Sequence, residues 1–108
     1  MLHVKISWLP RRYLVGAQCA HGACGAVESA NSGLVNAWKQ QGQKKVCLQA
    51  PQSDILELHR IAIKSGLNAC LVADAGRTQV AAGSKTVLAI GPDDSRRIDA
   101  ITGQLKLL

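Results

Sequence analysis

Five apolar residues in a row, Ala69-Cys70-Leu71-Val72-Ala73, run straight into Asp74. A run that short and that uniformly apolar reads as a strand buried on both faces. An acid placed directly after it lies at the carboxyl end of a sheet. The residues before it form a matching unit. Lys45-Val-Cys-Leu-Gln-Ala50 reads as a strand ended by Pro51, and Ser53 is expected to cap the helix that follows. That helix puts Ile55, His59 and Ala62 near one line, with Leu56, Leu58 and Ile63 beside it, and Gly66 is its expected C′ residue. Val46 to Asp74 is therefore a strand–helix–strand unit, which predicts a right-handed parallel crossover. Residues 75–85 show no helical period, so the next apolar strand, Thr86–Ile90, is expected to run antiparallel to its predecessor. Gly91-Pro92 is expected to stop it. Asp93 to Ile101 then reads as a short helix, with Ser95 as cap and Gly103 after it.

The N-terminal part adds a strand and two helices. Leu2-His-Val-Lys-Ile-Ser-Trp8 alternates apolar and polar, which is a strand with one buried face. Pro10, Arg11 and Arg12 break it. Residues 14–30 read as a helix in which Gly16, Gly22 and Gly25 each cost about 1 kcal/mol relative to Ala. Such a cost predicts close approach to the sheet or to another chain. Asn31-Ser32-Gly33 reads as a turn, and 34–41 as a short helix carrying Leu34, Ala37 and Trp38. The result is an α/β chain with a mixed sheet and helices on both faces. A length of 108 residues predicts one domain, and only Trp8, Tyr13 and Trp38 are aromatic. The core must be Ala, Val, Leu and Ile. That argues against an aromatic-rich β-barrel and against nucleic-acid recognition by rows of stacked aromatics.

Charge narrows the partner. The formal net charge is +6, and residues 1–45 hold six bases against the single acid Glu28. A basic N-terminal half predicts a polyanionic partner, nucleic acid before anionic membrane. Mild basicity for solubility is the bland alternative. The four cysteines sit in apolar or small-residue runs, and residues 1–10 hold no secretory pattern. A reduced, intracellular protein without a transmembrane segment is expected.

Asp74 is the foremost candidate for chemistry. Thr86 opens the strand returning to the same edge, and Thr78 lies in the connection. A carboxylate flanked by two hydroxyls is equipped to orient a water and take its proton. Asp-Ala-Gly is also ordinary turn chemistry, so spacing alone leaves both readings open. Gln18 and His21, three apart, share a helix face with Leu14 and would point into a cleft; a buried, hydrogen-bonded histidine is the commoner case. Cys19, His21 and Cys24 fit none of the strong zinc spacings, so no metal is expected. No nucleophile elbow, Walker loop or dinucleotide fingerprint is present.

Gly16-Ala-Gln-Cys-Ala-His-Gly-Ala23 is similar to the helix motif of the archaeal and eukaryotic type of peptidyl-tRNA hydrolase. Asp74-Ala-Gly-Arg-Thr-Gln-Val-Ala-Ala-Gly-Ser84 resembles that family's most characteristic run, and Thr86-Val-Leu-Ala-Ile-Gly-Pro92 continues it. Ile98-Asp99 and Thr102-Gly-Gln-Leu-Lys-Leu-Leu108 match its usual ending, so the resemblance covers about residues 15–108. It implies a single three-layer α/β/α domain around a mixed, mostly four-stranded sheet, and a homodimer. It implies hydrolysis of the ester joining a peptide to the 3′-terminal ribose of tRNA, with no metal or organic cofactor and no membrane. Asp74, Thr78, Thr86 and Gln18 fall on family positions proposed for catalysis. Arg77 is placed to contact a phosphate or the terminal adenosine, His21 lines the cleft, and Arg11, Arg12, Lys39, Lys44 and Lys45 are expected to meet acceptor-stem phosphates. The expected location is the cytoplasm, with a mitochondrial form as the other option.

Residues 1–13 depart from the family pattern. The family carries a lysine four residues before the motif glutamine, and here that position is Leu14. An alternative start, an unusual splice or a gene-model error is the preferred explanation. A working variant that uses Arg11 or Arg12 is the second. A catalytically impaired relative kept as a tRNA- or protein-binding module is the third. A signalling dimer with the 34–41 helix around Trp38 as its partner surface is a further alternative.

Overall fold

The alternation in Leu2–Trp8 builds the strand β1, and it lies inside the sheet rather than at its edge. The structure, a computed structural model, describes residues 2–8, 15–73 and 85–107; for 2–8, 15–18, 52, 73, 85 and 86 the description is of the backbone. Chain order continues with α1 (Val15–Ser29), α2 (Ser32–Gln40), β2 (Lys45–Gln49), α3 (Gln52–Lys64), β3 (Ala69–Ala73), β4 (Lys85–Asp94), α4 (Ser95–Thr102) and β5 (Lys106–Leu107). The strands form one sheet in the order β3-β4-β1-β2-β5. β1 and β2 are parallel, and the other neighbours are antiparallel. The result is a single α/β domain with four helices among the described residues.

The antiparallel pairing of β3 with β4 is as expected, with Leu71 opposite Leu88 and Cys70 opposite Ala89. The crossover is different. β2 and β3 run in the same direction with α3 between them, but β1 and β4 separate them in the sheet. The apolar runs specify strands, not neighbours; β1 and β4, from opposite ends of the chain, take the intervening places. A fifth strand, only two residues long, pairs with β2 beyond the four expected.

Nor does Gly91-Pro92 end β4. The strand continues to Asp94 because the register against β1 slips by one residue there, from Lys5 opposite Ile90 to His3 opposite Asp93. A bulge absorbs the proline, which has no N–H to give a ladder. The Gly91 N–H instead donates to Asn68 O at 2.9 Å.

Helix starts also differ from the simplest reading. α3 begins at Gln52, one residue after Pro51, and its N-cap makes no side-chain hydrogen bond. Ser53 is thus two residues too far in to cap, and its hydroxyl reaches Asp54 Oδ1 at 3.5 Å. Asp94, not Ser95, caps α4 by accepting from the Arg96 N–H at 2.8 Å. Asn31 caps α2 through Gly33 N and Leu34 N, so the expected turn is a helix start. At the end of α3 the glycine reading holds. Gly66 has φ +78°, its N–H meets Ile63 O and the Leu67 N–H meets Ala62 O, the Schellman pattern.

Alternation along β4 divides the core. Leu88 and Ile90 join Ile55, Leu58 and Ala62 of α3 and Ile98 and Ile101 of α4. Val87 and Ala89 join Ala26 of α1 and Trp38 of α2, with Cys19, Cys47 and Val72 packed around them. Leu56 and Ile63 stay exposed, because α3 buries the 55–58–62 stripe and they lie off it.

Candidate active site

The carboxyl end of β3 and the amino end of β4 share one edge of the sheet, since Ala73 pairs with Lys85 and Val72 with Val87. Between these pairs β4 carries one residue more than β3, and that residue is Thr86. Bulges of this kind terminate pairing or re-aim a strand, often beside active sites. The family-like hydroxyl position therefore falls on a backbone irregularity, a feature no spacing argument reveals.

α1 packs on the face of the sheet that carries Val72 and Val87. Cys19, Val72 and Val87 belong to one apolar cluster. Cys19 follows Gln18, Val72 lies two residues before Asp74, and Val87 follows Thr86. Packing thus brings the backbones next to three predicted site positions together from three separate elements. Gln18 and Thr86 are described in their backbones only; Asp74, Arg77, Thr78, Arg11, Arg12 and Leu14 lie outside the described residues. His21 is exposed on α1, so the commoner case of a buried histidine does not apply to it.

Close packing of α1 has a local cause. A Cβ on Gly25 would lie 2.5 Å from Cys70 Sγ. Glycine there lets α1 sit directly on β3, the return expected for a helix rich in glycine. Asn68 ties the same helix end to the sheet. Its Nδ2 donates to Ala26 O at 2.9 Å and to Gly91 O at 2.7 Å, while its Oδ1 accepts from Ser29 Oγ at 3.1 Å. A single asparagine therefore links α1, the start of β3 and the bulge of β4.

The predicted lysines are exposed, and two of them converge. Lys39 and Lys45 line an open groove of about 350 Å³ together with Ala23, Cys24, Val27 and Trp38. Lys45 Nζ lies 5.1 Å from the Trp38 ring centroid and donates to Gln43 O at 2.8 Å. Lys44 contributes its carbonyl, which accepts the Trp38 Nε1–H at 2.9 Å. Trp38 itself is only 3% exposed. The expected partner surface around it is thus a core anchor: the indole fills the space under α1 and spends its one donor on the loop into β2. A second groove, of about 290 Å³, lies by Gln49, Pro51 and Lys106 and holds none of the predicted residues.

Among the described residues no three His, Cys, Asp or Glu side chains gather in a metal-binding group, and no helix is long and apolar enough to cross a membrane. Burial, then the hydrogen bond and charge of Cys47, push the Cys19 thiol up to about 12. Burial, then the charge of Glu28, raises Cys70 as well. Both thiols therefore rest protonated rather than as thiolates.

Comparison with known proteins fits this arrangement. The family model for peptidyl-tRNA hydrolase PTH2 matches residues 14–108. A peptidyl-tRNA hydrolase of Methanothermobacter thermautotrophicus is 41% identical over 95 residues, covering 87% of this chain and 85% of its own length. A probable peptidyl-tRNA hydrolase 2 of Drosophila melanogaster is 42% identical over 98 residues, covering 87% of this chain and 53% of its own length. The mitochondrial peptidyl-tRNA hydrolase 2 of Bos taurus is 46% identical over 97 residues, 86% of this chain and 54% of its own. The chain thus spans about half the length of these two animal relatives and most of the archaeal one. From the Leu14 position onward, through helix motif, central run and ending, the chain belongs to the PTH2 family of peptidyl-tRNA hydrolases.

Proposed function

We propose that this chain hydrolyses the ester bond between peptide and tRNA, releasing tRNA from peptidyl-tRNA. The family match over residues 14–108 carries this reading. The packing of α1 on the same apolar cluster as β3 and β4 supports it. Asp74 takes a proton from the attacking water as its oxygen bonds to the ester carbonyl carbon. The 3′-oxygen of the ribose then leaves and is protonated, so one water and one ester give one acid and one alcohol. Thr78 and Thr86 position Asp74, the water or the carbonyl. Gln18 and His21 line the cleft, and Arg77 meets a phosphate or the terminal adenosine. Arg11, Arg12, Lys39, Lys44 and Lys45 hold acceptor-stem phosphates without reading sequence. The exposure of all three lysines and the open groove beside Lys39 and Lys45 support that assignment.

The proposal takes residues 1–108 as one peptidyl-tRNA hydrolase-like domain with no metal or organic cofactor. It extends to a homodimer, a cytoplasmic or mitochondrial location and a three-layer α/β/α arrangement. The two clusters on alternate residues of β4 support the layering. The test is release of N-acetyl-amino acid from charged tRNA by the chain, by Asp74→Asn and by Leu14→Lys. Asp74→Asn should slow turnover by about 10²–10⁴-fold, the usual worth of a general base, with tRNA affinity nearly unchanged. Turnover equal to that of the parent chain would remove Asp74 from the reaction. A gain in Leu14→Lys would assign to residue 14 the charge that leucine lacks.

A further inference from the structure

Cys19 on α1 and Cys47 on β2 place their sulfurs 3.5 Å apart, although 28 positions separate them in the chain. We propose that this pair is an oxidation site, closing under a peroxide into an intramolecular disulfide that ties α1 to β2. A disulfide needs its sulfurs about 2 Å apart. Rotation of one side chain about its Cα–Cβ bond moves a sulfur further than the difference. Both side chains are half-buried at the edge of one apolar cluster, which holds them in register and leaves them reachable by a small oxidant. Cys70 is directed differently, under Gly25, and Cys24 is exposed on the other side of its helix turn.

The chemistry balances with hydrogen peroxide as the two-electron oxidant. Either sulfur of the pair can take the oxidant first, with the same products, and Cys47 illustrates the route. Its sulfur attacks one peroxide oxygen and the O–O bond breaks; the departing oxygen leaves as water, and Cys47 becomes a sulfenic acid. The Cys19 sulfur then displaces that hydroxyl. The S–S bond forms, the Cys19 proton leaves with the oxygen, and a second water is released. Two thiols and one peroxide give one disulfide and two waters. Because Cys19 follows Gln18, the closed form fixes the helical turn that carries Gln18 onto β2.

The experiment uses the Cys24→Ser chain, which lacks the exposed thiol that would otherwise link two molecules. It is treated with hydrogen peroxide, alkylated, digested with trypsin and weighed beside a Cys19→Ser/Cys24→Ser control. The expected product is about 2 Da lighter than the reduced chain and yields the 13–39 and 46–60 peptides joined. Dithiothreitol should reverse it, and the control should not form it. The closed form should also melt roughly 10 °C higher, because the link removes freedom from the unfolded chain. Free, alkylated or over-oxidised Cys47 in a chain that remains folded overturns the proposal. So does a link that lowers the melting temperature, since that bond could form only by distorting the fold.

Discussion

Gly25→Ala tests how α1 is seated, and with it the placement of everything α1 carries. Alanine gains about 1 kcal/mol over glycine in a helix interior. Its Cβ would stand 2.5 Å from Cys70 Sγ, far inside van der Waals contact. Overpacking of that kind costs about 1–3 kcal/mol. The two effects leave a net loss between roughly 0 and 2 kcal/mol. Sign and size alone are therefore weak evidence, and a double-mutant cycle is decisive. With Cys70→Ala the sulfur is gone, and the nearest remaining atom, the Cβ of residue 70, is at an ordinary 3.5 Å. In that background Gly25→Ala should stabilise by up to about 1 kcal/mol. The two backgrounds should thus differ by about 1–3 kcal/mol. The assay is equilibrium urea unfolding of all four proteins, with equal slopes required before midpoints are compared. A coupling below about 0.5 kcal/mol would show that α1 does not lie on β3 at Cys70.

Three further outcomes follow from the geometry. Asn68→Ala should destabilise by about 1–3 kcal/mol, because the Gly91 carbonyl loses its side-chain donor and the Ala26 carbonyl, which keeps the Ala30 N–H, loses one of its donors; urea unfolding reads it, and a loss under about 0.5 kcal/mol would mean water replaces the amide. Trp38→Phe keeps most of the ring but leaves Lys44 O without its partner, so a loss of about 1 kcal/mol or more is expected in the same assay, and no change would show that bond to be incidental. Arg96 holds the Asp94 carboxyl down at about 2, first through its side-chain hydrogen bond and then through its backbone N–H. The unfolded carboxyl titrates near its ordinary value, so this contribution is complete above about pH 4 and is lost as pH falls toward 2. The urea midpoint of the parent chain should drop across that window, and Asp94→Asn should flatten part of the drop; identical profiles would refute it.

The elements were legible because short-range pattern determines them. Alternation in Leu2–Trp8, the apolar run before Asp74 and the glycine after α3 all correspond to observed structure. Sheet order was not, because it depends on pairings between distant segments: nothing near Val46 or Asp74 says that β1 and β4 will come between them. Gly91-Pro92 misled for a related reason. A proline stops a regular ladder, but a bulge with Asn68 as donor and acceptor carries the strand past it. At the site, the motif identified Gln18, Asp74 and Thr86 as a set. The extra residue at Thr86 and the shared cluster beneath the set emerge only when Cys19, Val72 and Val87 pack together. Trp38 shows the opposite limit: one tryptophan on a short helix reads equally as anchor or as surface until its burial is known.

The position of β1 has a consequence for synthesis. Leu2–Trp8 is made before the other described strands, yet one neighbour, β2, begins at residue 45 and the other, β4, ends at residue 94. Its β2 edge can pair once residue 49 has emerged, but its β4 edge stays open until residue 94 has emerged. A chain released before β4 is made thus exposes an open edge of β1. For a proposed scavenger of interrupted translation, interruption of its own synthesis leaves a strand edge free to pair with another chain.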